Sequence, residues 1–135
     1  MRLFTQILLV ATGSALGGLA RWGVALGAAR LLKTEFPWGT LFINLTGSLF
    51  LGWFTTVLAE RLPAGAHAWW LRPDDLRLMV AVGFTGAYTT FSTFEYESHK
   101  LFGDGDGLAA AGYIAGSVFL GLVAVRLGVR LAMLV

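Results

Sequence analysis

Cysteine is absent from the 135-residue chain, and charged side chains are scarce, at 13% of all residues. Without cysteine there is no disulfide, no thiolate metal ligand and no thiol nucleophile. A soluble domain carries about 25% charged residues, which cover its surface, whereas this chain is 56% hydrophobic. Because so few charges cannot solvate a globule of this composition, we expect the chain to lie in a membrane.

The few charges are clustered, which leaves four long uncharged runs. These runs are residues 3–20, 36–59, 78–94 and 107–125. A helix needs about 20 residues to cross a hydrocarbon core of ~30 Å, and the runs match that length. The sequence therefore predicts an all-α membrane protein with a single domain, residues 1–135. Its four transmembrane helices are predicted at about residues 3–29, 36–59, 76–100 and 108–130.

The sequence lacks the motifs that several other functional classes require. The net charge is only +2 and no basic run exists, so nucleic acid is not an expected partner. Neither His67 nor His99 has a partner at metal-ligand spacing. The Gly- and Asp-rich segment 103–107 is predicted to be a turn, because a calcium loop would need further oxygen ligands. No phosphate loop, nucleophile elbow or zinc-protease motif is present, so we do not expect an enzyme.

Small residues recur at four-residue spacing in the first and fourth predicted helices. The pairs are Gly13/Gly17, Ser14/Gly18, Gly23/Gly27 and Gly112/Gly116. Such pairs let helix backbones approach closely in lipid, so we expect tight packing there. Four short helices enclose little space, and a transport pathway would therefore need a partner subunit.

Polar side chains lie on one face of the second predicted helix. Thr40, Asn44, Ser48 and Thr55 fall within about 80° of each other at 100° per residue. Asn44 is the notable member, because an unpaired amide in hydrocarbon is costly. The spacing leaves two interpretations open: a functional role, or hydrogen bonding between helices.

The third predicted helix contains both weak helix formers and a cluster of hydroxyl and aromatic groups. Residues 82–90 include two glycines and three threonines, which make a poor helix interior. In the helical stretch that follows, Phe91 and Phe94 share a face, and Thr90, Thr93 and Glu97 form an adjacent stripe. Two phenylalanines at this spacing usually pack in a core. Surrounded by hydroxyls inside a membrane, they could instead present their positive ring edges to an anion, and conduction needs such weak binding.

Two further features point to polar groups inside the membrane. Arg21 is the only charge deep in an apolar span, where insertion costs roughly 2.5–3.5 kcal/mol. It either serves a function or extends its guanidinium to the interface. Tyr113 and Ser117, four residues apart on the fourth helix, could extend a hydroxyl-lined route.

Three segments of the chain together resemble the Fluc-type (CrcB-like) fluoride channels, a family of small four-helix bacterial membrane proteins. The segments are residues 17–22, 39–48 and 83–94. The resemblance covers essentially the whole chain in order. The string Thr-Thr-Phe-Ser-Thr-Phe, residues 89–94, after a glycine-broken segment is its most specific part.

The resemblance implies a fluoride-selective channel that exports cytoplasmic fluoride passively through the bacterial inner membrane. It further implies an antiparallel homodimer of dual-topology subunits, with a broken third helix and two pores. The pore residues it implies are Asn44, Phe91, Phe94, Thr90 with Ser92 or Thr93, Glu97, Tyr113 and Ser117. Arg21 would support a vestibule or the fold. The backbone carbonyls of Gly86 and Thr89 would hold a structural sodium ion at the dimer centre.

One residue departs from the family pattern, and two other functions remain as alternatives. Glu95 follows Phe94 where we expect a small neutral residue, and a second carboxylate there should repel anions unless it is paired or points to water. A small multidrug-resistance-type proton-coupled exporter would need a carboxylate in the first helix, which has none. A non-transporting assembly subunit would leave the polar lining without a purpose.

Overall fold

The computed structural model describes residues 2–61 and 72–134, and the regular structure in these ranges is helical throughout. Residues 62–71, which include His67 and most of the loop predicted between the second and third helices, lie outside the described residues, as do residues 1 and 135. The helices are α1 (Arg2–Leu32), α2 (Trp38–Arg61), α3 (Pro73–Leu76), a π-helical segment (Arg77–Thr85), α4 (Gly86–Tyr88), α5 (Phe91–Gly103) and α6 (Gly107–Met133).

Three of these helices, α1, α2 and α6, are long and apolar enough to cross a membrane. Many of their large apolar side chains are exposed, among them Phe4 and Phe119, as expected of helices that face lipid. The chain is thus an all-helical, multi-pass membrane protein, as the composition predicts. α1 runs three residues beyond its predicted end and stops where Lys33 adopts a positive φ of 43°.

The third predicted helix is irregular in a different way from the sequence expectation. The stretch 82–90 is not unwound as a whole, because Arg77–Thr85 is π-helical and Gly86–Tyr88 is α-helical. At the end of the π-helical segment, the Thr85 hydroxyl donates to the carbonyl of Val80, five residues earlier (3.0 Å). Within residues 82–90, only Thr89 and Thr90 are extended, with ψ of 159° and 117°. We call these two residues the break.

α1 packs closely on the π-helical segment through its first pair of glycines. A Cβ atom on Gly13 would overlap the carbonyl oxygen of Met79, and one on Gly17 would overlap that of Phe84. The predicted tight packing is therefore present at Gly13 and Gly17. In contrast, a Cβ at Gly23, Gly27, Gly112 or Gly116 would meet no atom within 4 Å in the described parts of the chain.

α2 and α6 lie side by side and run in the same direction. A Cβ on Gly52 would overlap the carbonyl of Val125, and a Cβ on Gly121 would lie 4.0 Å from Ser48 Oγ. A Cβ on Gly128 would also overlap the carbonyl of Leu49, so close backbone contact recurs along the pair of helices.

The close contact at Gly17 predicts a measurable loss of stability when a methyl group is added. We expect Gly17→Ala to destabilise the fold by about 1–3 kcal/mol, because α1 must move away from the Phe84 carbonyl. The matched control is Gly18→Ala, where a Cβ would meet no atom of the described residues within 4 Å. Thermal unfolding of both variants in detergent measures the difference, and equal midpoints would contradict the packing described above.

Candidate functional site

The break is held by a side chain from the neighbouring helix. Asn44 Nδ2 donates to the carbonyl oxygen of Thr90 (3.1 Å), and the Thr90 backbone N–H donates to Asn44 Oδ1 (2.9 Å). The amide thus replaces the backbone partners that Thr90 lacks in its extended conformation. Of the two interpretations of Asn44, hydrogen bonding between helices is therefore realised. An amide nitrogen carries two hydrogens, so Asn44 retains one N–H beyond the bond to Thr90.

Thr90 also begins the next helix. Its hydroxyl oxygen accepts from the backbone N–H of Thr93 (3.3 Å) and donates to Thr93 Oγ1 (2.9 Å). A threonine at this position satisfies one of the N–H groups that a helix start leaves without a partner. α2 comes close enough to the break because Gly47 has no side chain: a Cβ there would overlap the Thr89 methyl group.

The bonds made by Thr90 change the surroundings of two backbone carbonyls. In a continuous helix, the N–H of Thr90 would donate to Gly86 and that of Thr93 to Thr89. Here these N–H groups donate to Asn44 Oδ1 and Thr90 Oγ1 instead. The carbonyl oxygens of Gly86 and Thr89 therefore do not accept hydrogen bonds from the N–H groups that would bond to them in a continuous helix. Gly86 is exposed, and a Cβ there would meet no atom of residues 2–61 or 72–134 within 4 Å.

A cavity of about 250 Å³ lies beside the break, and we call it the break cavity. Its polar lining comes from Asn44, Ser48, Thr85, Thr89 and Thr90, and one side is formed by Phe91. Within residues 2–61 and 72–134, no group of three or more His, Asp or Glu side chains is placed to hold a metal ion. A cation here would have to be held by hydroxyl and carbonyl oxygens, a donor set that suits a hard ion.

The two phenylalanines of α5 contact each other but have different surroundings. Their ring centroids are 5.9 Å apart and the ring planes are tilted by 44°. Phe94 is 7% exposed and packs on the Tyr113 ring at 5.2 Å, whereas Phe91 is 73% exposed at the edge of the break cavity. The Phe94 ring is thus packed within the chain, whereas the Phe91 ring is exposed in the single subunit.

One turn beyond the phenylalanines, Glu97 joins three helices. Its Oε1 accepts from the hydroxyl of Thr40 (2.8 Å), and its Oε2 accepts from the hydroxyl of Tyr113 (2.8 Å). Tyr113 is almost fully buried, at 1% exposure. Because both oxygens of the carboxylate accept hydrogen bonds, its orientation is fixed by residues of α2 and α6.

The remaining predicted site residues differ in burial and do not join the hydrogen bonds described above. The hydroxyl oxygen of Ser117 is buried and has no hydrogen-bond partner among the described residues. Ser92 is exposed on α5, outside the hydrogen bonds that join Asn44, Thr90 and Thr93. Arg21 is half-buried and makes no ion pair with any residue of the described ranges. Glu95 is exposed, in contrast to Glu97 two residues later.

Sequence reasoning did not assign a site role to Thr40, although it placed Thr40 on the polar face of α2. Thr40 is 7% exposed and donates to Glu97, so it belongs to the same hydrogen-bonded group as Tyr113. The signal was its position four residues before Asn44. Tyr88 was also missed: its hydroxyl is 2.9 Å from Thr46 Oγ1 and links α4 to α2 just before the break.

Comparison with known proteins gives a consistent family assignment. Residues 8–129 match the family described as "CrcB-like protein, Camphor Resistance (CrcB)". The chain is 44% identical over 128 residues to "Fluoride-specific ion channel FluC 1" of Nitrobacter hamburgensis, with 95% of each chain covered. It is 43% identical over 126 residues to "Fluoride-specific ion channel FluC" of Chloroflexus aurantiacus, covering 93% of this chain and 94% of that one.

A third relative is more distant and spans the same length. It is "Fluoride-specific ion channel FluC" of Rhizobium johnstonii, 39% identical over 123 residues, with 91% of this chain and 92% of that one covered. The resemblance noted in the sequence is therefore confirmed along nearly its whole extent, and the chain belongs to the Fluc-type, CrcB-like family.

Proposed function

We propose that the protein is a fluoride-selective channel through which cytoplasmic fluoride leaves the cell passively across the bacterial inner membrane. The names of its relatives support the choice of ion. The observation that carries the proposal is the row of polar groups inside a chain that is otherwise apolar. The row begins at Asn44 and the break, continues through Thr93 on α5, and reaches Glu97 with its partners on α2 and α6.

The proposed path replaces the water around a small, strongly hydrated anion. Hydroxyl groups and the remaining N–H of Asn44 can each donate a hydrogen bond to fluoride as water is lost. The buried hydroxyl of Ser117 has no hydrogen-bond partner within the described ranges, so it remains able to donate to the ion. Ser92 and Thr93, both exposed in the single chain, would contribute hydroxyls on the open side of α5.

Phe91 and Phe94 supply the attraction that hydroxyls alone do not. Ring edges carry partial positive charge, so they hold an anion less strongly than a lysine would. A full charge in a low dielectric would slow release, since Coulomb attraction there is large. In our proposal the two rings form successive weak stations, and Phe94 is held against Tyr113 for this purpose.

The channel is proposed to be an antiparallel homodimer of dual-topology subunits with two pores. The exposure of Phe91 supports a second copy, because a pore residue with a ring 73% exposed needs a facing wall. The glycines of α1 and α6 where a Cβ would meet no atom of the part of the chain that the structure describes would allow that copy to approach closely. In this assembly, Arg21 would support the vestibule or the fold.

A structural sodium ion is proposed at the centre of the dimer, bound by the carbonyls of Gly86 and Thr89. These carbonyls fit the ion, because their usual helical donors are directed to Asn44 and Thr90. Hard cations prefer such oxygen ligands. Two copies of the break would double the number of oxygens available.

The function is tested with purified protein in liposomes loaded with fluoride or chloride. We expect fluoride efflux, measured with an ion-selective electrode, to be rapid once a potassium ionophore dissipates the membrane potential, and chloride efflux to stay near the level of empty liposomes. Equal release of both anions would contradict selectivity, and fluoride retention would contradict the channel function. Proton-coupled transport of a lipophilic cation would favour an exporter instead.

The sodium proposal predicts a specific pattern of ion dependence. Because the ion is part of the structure, fluoride efflux should be the same with an inward, an outward or no sodium gradient. Prolonged exchange of sodium for a large organic cation should weaken the dimer, as measured by size-exclusion chromatography. Efflux in fixed proportion to sodium movement would contradict this proposal.

A further inference from the structure

An ion pair lies near the end of the polar row, between α5 and the short connection that precedes α2. Lys100 Nζ is 3.8 Å from Glu35 Oε2, and the two side chains are 57% and 97% exposed. Lys100 is three residues after Glu97 on α5, so both side chains lie on one face of this helix. Glu35 precedes α2, in the short connection from α1.

A cavity of about 310 Å³ joins this ion pair to the buried network, and we call it the mouth cavity. Thr40 and Glu97, which are hydrogen-bonded to each other, form part of its lining, as do Lys100 and Glu35. A hydrated ion fits such a volume. The mouth cavity therefore runs from an exposed ion pair to the carboxylate that ends the row of polar groups.

We infer that Lys100 and Glu35 form an electrostatic rim that controls how readily an anion enters or leaves the pore at this end. The inference rests on the proposed channel function. Lys100 attracts the anion into the mouth cavity, and Glu35 competes with the anion for the same ammonium group. The ligand at this rim is a small hydrated anion, held loosely at the water interface.

The carboxylates around the mouth cavity would repel an anion unless a cationic side chain such as Lys100 offset them. Its lining contains the carboxylates of Glu35, Glu97 and Asp104, against the ammonium groups of Lys33 and Lys100. A full complement of ionised side chains leaves the mouth net negative, which opposes an anion. Lys100 shares a helix face with Glu97, so its charge acts where the anion passes that carboxylate.

The geometry of the pair also suits exchange of Lys100 between two partners. An exposed ion pair contributes little to stability, because water screens it and two long side chains must be held in place. At 3.8 Å from an almost fully exposed carboxylate, the ammonium group can turn to a passing anion without a large loss. A unit charge a few Å from the ion, in water, changes the local anion concentration roughly two- to five-fold.

The test compares single and double variants in the liposome assay with fluoride. At about 10 mM ionic strength, where charges act over about 30 Å, we expect Lys100→Gln to slow efflux roughly two- to five-fold. Glu35→Gln should speed it by a similar factor, and the double variant should return near the wild-type rate. In about 1 M salt of an impermeant anion, where the Debye length is about 3 Å, all four proteins should converge.

The controls separate this inference from the channel function itself. Lys100→Arg keeps the charge and should keep the wild-type rate, and Glu60→Gln removes one carboxylate at the opposite end of α2 and should have no effect. If wild-type protein conducts but Lys100→Gln and Glu35→Gln change efflux in the same direction or not at all, the rim is overturned while the channel stands. Differences that persist in about 1 M salt would also overturn it. If wild-type protein does not conduct fluoride, the proposed channel function is overturned, and the rim inference is overturned with it.

Discussion

Fluoride efflux should fall roughly ten-fold when Phe91 is replaced by isoleucine, an effect equivalent to about 1.4 kcal/mol at the step where the anion passes the ring. Isoleucine keeps the bulk and apolarity but removes the positive ring edge. Because Phe91 is 73% exposed in the single chain, the substitution leaves no cavity in the subunit core. The liposome efflux rate measures the effect, and size-exclusion chromatography checks that the dimer persists.

Two further variants are compared with Phe91→Ile, one as a control and one as a second test of the ring edges. Phe119→Ile changes a comparably exposed phenylalanine, 67% exposed, on α6, and should leave efflux unchanged. Phe94→Ile should also reduce efflux, but it alters packing on Tyr113, so its efflux must be compared at matched dimer content. A well-assembled Phe91→Ile protein with normal efflux would end the proposal that ring edges attract the ion.

Replacing Asn44 with alanine should both destabilise the protein and abolish fluoride efflux. The substitution removes two hydrogen bonds to Thr90 and leaves a backbone N–H and a carbonyl without partners. Each unsatisfied buried group costs about 1–3 kcal/mol, so the expected loss is about 2–6 kcal/mol. The measurement is thermal unfolding in detergent, followed by the efflux assay on the folded fraction.

Two matched changes distinguish this specific role from a general effect of polar residues in α2. Thr55→Val removes a hydroxyl that bonds to the Leu51 carbonyl of its own helix (2.7 Å), and should change the free energy of unfolding by less than about 1 kcal/mol. Asn44→Asp keeps an acceptor for the Thr90 N–H but cannot donate to its carbonyl when ionised, so it should fall between. An Asn44→Ala protein as stable as Thr55→Val would show that the break does not depend on this amide.

The sequence predicts the membrane class and most helix positions, because both depend on local quantities. Runs of apolar residues at the length of a bilayer identify α1, α2 and α6 without reference to their neighbours. The turn after α5 follows equally from its glycines, with Gly105 at a φ of 84°. The polar residues of α2 and α5 were also identified from spacing alone.

What the sequence could not predict are the partners, because they lie far apart along the chain. Asn44 and Thr90 are 46 residues apart, and Thr40 and Glu97 are 57 apart, so no local pattern pairs them. The side of the protein to which Glu95 and Glu97 each point depends on where α5 begins. That start is set by the extended conformation of Thr90. The π-helical segment likewise packs against α1, where Gly13 and Gly17 admit its backbone, and this contact also joins distant parts of the chain.

The break has a consequence for the electric field inside the protein. A helix start carries about half a positive charge from its free N–H groups, and a helix end carries about half a negative charge. At Thr89 and Thr90 the C-terminus of the continuous helical stretch 73–88 and the N-terminus of α5 meet within two residues, and no acidic residue lies in the first turn of α5. The backbone dipoles alone therefore provide adjacent regions of opposite sign, one that favours a cation and one that favours an anion, where no ionised side chain is required.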